Sequence, residues 1–177
     1  KDGLEASLES TLRGTDGVKT ILVNSGGDYI ETLGETQPTA GKNVYLTIDS
    51  ELQKVAEDAL EQAVKTTKTG GVFKSKYGNI KMAQYSKCGS GAVVALDVET
   101  GDVLAMASYP DYNPNIFAEG ISTKAWESVQ SSNPRDSLAP TPLYNNATRT
   151  SVQPGSTFKP ITAVAALKAG LNPDRMI

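Results

Sequence analysis

The sequence contains no histidine and a single cysteine, Cys88. These absences remove from the segment the Ser-His-Asp and Cys-His catalytic kits, the paired-histidine zinc helices and the Cys/His zinc modules. A lone cysteine also excludes an internal disulfide and leaves the redox compartment open. No apolar run approaches the roughly 20 residues that span a bilayer, and the start, Lys1-Asp2-Gly3-Leu4-Glu5, lacks the regions of a signal peptide. The segment is therefore expected to be soluble, with any anchor outside it. Long lysine or arginine runs are missing too, and 17 basic residues stand against 20 acidic ones for a net charge of -3. That balance lacks the electrostatic footprint of a nucleic-acid binder. Neither a GxxxxGK[ST] loop nor a GxGxxG turn after a strand is present, so phosphate-cradling loops are not expected.

What is present suffices for a core: 177 residues, 38% hydrophobic, form one domain or part of a larger one. Leu4, Leu8 and Leu12 predict a short amphipathic helix closed at Arg13-Gly14, followed by loops and short strands. Asn43 to Ile48, "NVYLTI", predicts a strand. Ser50 with Gln53 forms a capping-box pattern for a helix whose stripe of Leu52, Val55, Ala56, Ala59, Leu60, Ala63 and Val64 belongs to the core. Residues 65–90, rich in Lys, Gly, Ser and Tyr, read as a surface excursion with a small hairpin around Tyr77-Gly78-Asn79; its lysines read as a solvated face. Gly91 to Ser108 predicts a hairpin turning at Glu99-Thr100-Gly101-Asp102, with strands apolar enough to be covered on both faces. Tyr109 to Asn115 is a loop, a short helix capped by Ser122 surrounds Trp126, and Tyr144 to Gly155 is irregular.

At "QPGSTFKP", Gln153 to Pro160, Ser156 opens a helix with Phe158, Ile161, Val164, Ala165 and Leu167 on its buried side. Pro160 is tolerable only within about the first turn, which fixes the start near Ser156. Residues three apart on a helix are neighbours, about 5–6 Å between Cβ atoms, so Lys159 can fold onto the Ser156 hydroxyl. An unperturbed lysine is deprotonated only about once in a few thousand molecules at pH 7. Burial and a helix N-terminus both lower its pKa, and lowering by about three pH units corresponds to about 4 kcal/mol. With this many serines and lysines, the spacing alone leaves a catalytic pair and a coincidence both open.

The surroundings of the pair add specificity. "GLEASLESTLRGTDG", "VYLTIDSELQKVAEDAL", "GAVVALDVETGDVLAMASYPDYNPN" and "PGSTFKP" occur in the order found in class B penicillin-binding proteins, and the chain resembles that family except over residues 65–90. The resemblance implies an α+β fold, with helices packed on an antiparallel sheet as in the penicillin-binding-protein and serine β-lactamase transpeptidase fold, of which this is the N-terminal part. Residues 1–42 would be the end of the pedestal region and linker, and 43–177 the first part of the transpeptidase domain. It implies peptidoglycan D,D-transpeptidation, with Ser156 as acylated nucleophile, Lys159 as general base, and the Ser156 backbone N–H as an oxyanion donor. Its implied partners are peptidoglycan stem peptides, β-lactam antibiotics and cell-wall synthesis proteins, without nucleic acid, metal or organic cofactor. Its implied place is the extracytoplasmic side of the bacterial membrane, held by an anchor outside this segment. The family's Asn-Arg-Ala reads Asn145-Asn146-Ala147 here, and no SxN or KTG follows Ser156, so residues 1–177 alone are expected to be inactive.

Other readings rank below this one. Asp97, Glu99 and Asp102 read as a solvated acidic turn, Cys88 as an incidental loop thiol, and Tyr109 and Tyr112 as loop packing. A class D β-lactamase or penicilloyl sensor shares the nucleophile motif, and would differ by hydrolysing its acyl-enzyme quickly. A non-catalytic cell-wall interaction module would leave Lys159 solvated and Ser156 replaceable.

Overall fold

The computed structural model describes residues 3–136 and 139–174, and the chain divides into two compact units, Lys1–Thr47 and Ile48–Ile177.

In the first unit the leucine pattern forms two short helices, α1 (Gly3–Ser7) and α2 (Glu9–Leu12), rather than one. Leu8 leaves helical geometry at φ -109°, ψ 14° and stands as the uncapped N-terminal residue of α2. Strands β1 (Val18–Val23) and β2 (Tyr29–Thr36) pair antiparallel, from Val18 opposite Thr36 to Val23 opposite Tyr29. The intervening turn is held by Asn24, whose Oδ1 accepts from the backbone of Gly26 at 2.8 Å and Asp28 at 3.0 Å. This is the side-chain substitution for backbone pairing that makes Asn a turn residue. The expected strand at residues 43–48 does not form. β-Propensity yields a strand only where a neighbour offers a ladder, and this stretch pairs into none.

The second unit is built on α3 (Ser50–Thr69). Its cap is Asp49, not Ser50: the Asp49 carboxylate accepts from Glu51 N at 2.9 Å and Leu52 N at 2.8 Å. The expected capping box is therefore absent, and Gln53 turns elsewhere. Hairpin β3 (Gly71–Ser75) and β4 (Gly78–Met82) follows, its turn at Lys76-Tyr77 lying one residue earlier than expected. Next come β5 (Gly91–Leu96) and β6 (Val103–Tyr109), antiparallel from Gly91 opposite Tyr109 to Leu96 opposite Val103. Ala56, Leu60 and Val64 of α3 close on Ala105 and Ala107 of β6, with Val93, Ala95, Tyr109 and Cys88 at the margin. A Cβ on Gly91 would lie 3.0 Å from Leu60 Cδ1 and 3.2 Å from Val64 Cγ2, so glycine lets β5 start against the helix. The expectation of strands covered on both faces is not met among the described residues: β5 alternates half-buried and exposed positions, leaving Val94 44% and Leu96 56% exposed. One face has α3, and the short helix at Asn146–Arg149 also meets both strands, which still leaves these β5 positions exposed.

Gln53 fastens this layer. Its Oε1 accepts from Met106 N–H at 2.8 Å while its Nε2 donates to Met106 C=O at 2.9 Å and to Glu57 Oε1 at 2.7 Å. Asp49 N donates to Leu104 O at 2.9 Å beside it. The primary amide thus offers β6 the donor–acceptor pair that a neighbouring strand would. Beyond β6 lie a 3-10 turn (Pro114–Phe117), α4 (Thr123–Val129), α5 (Asn146–Arg149), a second 3-10 turn (Gly155–Phe158) and α6 (Lys159–Lys168). Ser122 caps α4 as expected, accepting from Ala125 N at 3.2 Å.

Candidate functional site

Between β6 and the serine–lysine pair stands Asn146, a residue that sequence reasoning passed over except as a departure from a family pattern. Its Nδ2 donates to Tyr109 O at 3.1 Å and Ser108 Oγ at 3.3 Å, and its backbone N–H donates to Ser108 Oγ at 2.9 Å. Its Oδ1 accepts from Thr150 Oγ1 at 3.0 Å. Asn145, capping α5, accepts from Ala147 N at 3.0 Å and Thr148 N at 3.2 Å. Two adjacent asparagines therefore start α5 and fasten it to the end of β6. Asparagine supplies both donors and an acceptor on a short stem, which an arginine at position 146 would not.

Irregular chain then leads to Gly155, whose φ of +57° lies in the left-handed region that glycine enters at least cost. Thr157 holds the turn shut, its Oγ1 donating to Pro154 O at 2.6 Å and its N–H to the same oxygen at 3.3 Å. Ser156 sits in this 3-10 turn rather than at the start of an α-helix, and the Lys159 N–H donates to the Ser156 carbonyl. Side chains three apart eclipse in a 3-10 helix, so the turn stacks positions 156 and 159 more directly than an α-helix would. Pro160 falls within the first turn of α6, where its missing N–H costs nothing.

The structure brings Ser156 and Lys159 onto one turn but not into contact with each other. Both are exposed, and among the described residues neither side chain has a hydrogen-bond or ion-pair partner. The expected buried side of α6 is open: Phe158 is 51%, Ile161 58%, Val164 54% and Leu167 52% exposed. A helix this apolar around its circumference belongs in an interior.

Elsewhere, a cleft of about 510 Å³ is lined by Ser90, Ser131, Tyr144, Asn146, Thr150 and Val152, and neither Ser156 nor Lys159 lines it. The acidic turn is structural: Asp97 Oδ1 accepts from Glu99 N at 2.8 Å and Thr100 N at 2.9 Å. These bonds, Thr100's foremost, hold the Asp97 carboxyl below its ordinary pKa. Cys88 is a free thiol in the loop before β5, as expected, half-buried against the core, and Tyr112 packs edge-on against Phe117 at 5.8 Å. Among the described residues no group of His, Cys, Asp or Glu could hold a metal ion.

Comparison with known proteins matches residues 91–177 to the family described as "Penicillin binding protein transpeptidase domain" and residues 1–46 to "Penicillin-binding Protein dimerisation domain". The peptidoglycan D,D-transpeptidase MrdA of Escherichia coli K12 is 37% identical over 171 residues, 97% of this chain and 22% of that protein. The enzyme of the same name from Acinetobacter baumannii is 33% identical, again over 97% of this chain but 21% of its own length. The chain thus spans about a fifth of these curated relatives. Among solved structures, a chain of a peptidoglycan synthase complex that coordinates polymerization and crosslinking aligns at TM-score 0.68 and 34% identity, over 98% of this chain and 28% of that one. The Helicobacter pylori penicillin-binding protein PBP2, in complex with MreC, aligns at TM-score 0.64 and 26% identity, over 100% of this chain and 27% of that one.

Proposed function

Because the chain belongs to the class B penicillin-binding proteins, we propose that it carries the acylation machinery of a peptidoglycan D,D-transpeptidase, with Ser156 as nucleophile and Lys159 as general base. The observation that carries this reading is the Gly155–Phe158 turn, which stacks the two positions at the head of an apolar helix. In the reaction, Ser156 Oγ attacks the carbonyl carbon of the penultimate D-Ala while the neutral Lys159 amine takes its proton. The tetrahedral oxyanion draws on the Ser156 backbone N–H. Collapse breaks the C–N bond, and Lys159 returns the proton to the departing D-Ala. A neighbouring stem's amine then attacks the ester, its proton passing through Lys159 to Ser156 Oγ as the acyl C–O bond breaks, which forms the cross-link and frees Ser156. A β-lactam would acylate the same oxygen.

A neutral lysine needs desolvation, and an exposed position does not supply it. The exposed apolar positions of α6 and of β5 are accordingly assigned to burial by the remainder of the transpeptidase domain in the complete protein. In this reading residues 1–42 end the pedestal region and 43–177 begin the catalytic domain, on the extracytoplasmic side of the membrane among other cell-wall synthesis proteins.

The test is acylation of the complete protein by a fluorescent penicillin. Wild type is expected to form a lasting one-to-one adduct, Ser156→Ala none, and Lys159→Ala to react about 100-fold or more slowly. No adduct on wild type would favour the interaction module, and fast turnover of the drug would favour a lactamase.

A further inference from the structure

Six of the 17 basic residues, Lys65, Lys68, Lys74, Lys76, Lys81 and Lys87, and none of the 20 acidic ones fall between residues 62 and 96. All six are exposed, and among the described residues only Lys65 has an acidic partner, Glu61 at 2.6 Å. Such segregation is unlike an ordinary solvated surface, where both signs intersperse. The register sharpens it. Val72 pairs with Lys81 and Lys74 with Asn79, so Lys74 and Lys81 share one face of the β3–β4 hairpin as diagonal neighbours, about 7–8 Å apart. Phe73 and Ile80 occupy the other face, where Phe73 is half-buried. At the tip the Lys76 ammonium lies 4.9 Å from the ring centre of Tyr77, which is 88% exposed. Like charges placed as diagonal neighbours on one sheet face repel, and an anionic partner removes that repulsion. A short hairpin could be guarded against edge pairing by one or two lysines, which does not require excluding every carboxylate over 35 residues.

We propose that the β3–β4 hairpin is an exosite for the anionic peptidoglycan strand, engaging carboxylates of stem peptides not being cross-linked. The proposal rests on the transpeptidase reading for its substrate. Each uncross-linked stem ending in D-Ala carries a terminal carboxylate, and the stems repeat along the glycan. Lysines held on one face therefore meet a multivalent array of anions, and weak single contacts add through effective concentration. Free ammonium groups also raise the local concentration of an anionic polymer.

Binding of purified uncross-linked strands to the complete protein, its serine already penicilloylated, tests this. The Lys74→Gln/Lys76→Gln/Lys81→Gln variant is expected to bind about tenfold more weakly or worse, and the corresponding arginine variant to bind like wild type. Salt should weaken wild type more than the glutamine variant. Thermal unfolding and the rate of penicillin acylation should be unchanged in both variants. Equal binding by the glutamine variant would overturn the exosite, as would equal binding of strands stripped of their stem peptides. Capture by phosphatidylglycerol vesicles, with no lysine-dependent capture of strands, would reassign the hairpin to a membrane surface. Wild type that forms no penicillin adduct would instead refute the transpeptidase reading, independently of the strand-binding result.

Discussion

Replacing Gln53 with alanine removes both hydrogen bonds that join α3 to Met106 on β6. Each is a neutral bond with a net contribution of about 1 kcal/mol. Met106 is only partly buried, so water can reach its freed N–H and C=O, which keeps the loss near 1–2 kcal/mol. That corresponds to about 5–30-fold faster opening of the Met106 amide. Hydrogen-exchange mass spectrometry of the complete protein would read it in peptides from β6, while the β3–β4 hairpin keeps wild-type protection. Gln53→Glu is expected to be worse than alanine at neutral pH, because the new carboxylate faces the Met106 carbonyl and sits beside Glu57. Both neighbours raise its folded-state pKa above the unfolded value. The defect is therefore full above that raised pKa, shrinks as pH falls from it towards the unfolded value, and is gone below the unfolded value. Unchanged Met106 exchange in Gln53→Ala would refute the idea that the amide stands in for a strand.

Two further changes probe local geometry. Asp97 has a lowered pKa, so its turn bonds contribute fully above the ordinary carboxylate value and are lost as pH falls through the lowered one. An NMR titration should find Asp97 titrating below its ordinary value, and Asp97→Ala should remove this acid sensitivity of the β5–β6 turn; titration at or above the ordinary value would contradict it. Gly155→Ala forces a side chain to φ +57° with no atom within 4 Å of the new Cβ, so its cost of about 1 kcal/mol is backbone strain alone. Gly155→Asn should cost less, by thermal unfolding of the complete protein, and a neutral Gly155→Ala would contradict the left-handed turn.

The elements legible in the sequence were those whose signals are local. The α3 stripe, the β5–β6 hairpin around Gly101 and the Ser122 cap follow from periodicity and turn chemistry within a dozen residues. Asp49 and Ser50 are both good capping residues, and the extended φ -84°, ψ 117° of Asp49 decided between them. Residues 43–48 have strand composition, but pairing depends on a partner far along the chain. Gln53 and Asn146 escaped because their bonds join residues 53 and 37 or 38 positions apart, a distance no short pattern encodes. For Ser156 and Lys159 the spacing was legible, whereas the 3-10 form of their turn depends on Gly155 and the Thr157 bond to Pro154.

The most direct measurement is the site of the penicilloyl group. Lys159 is followed by Pro160, a bond trypsin resists, so digestion between Arg149 and Lys168 leaves Thr150 to Lys168 as one peptide. Besides Ser156, that peptide contains Thr150, Ser151, Thr157 and Thr162 as competing hydroxyls. Fragmentation of the acylated complete protein should place the added mass on Ser156 alone. Mass on Ser151 or Thr157, or on any other peptide, would contradict the assignment of Ser156 as the nucleophile.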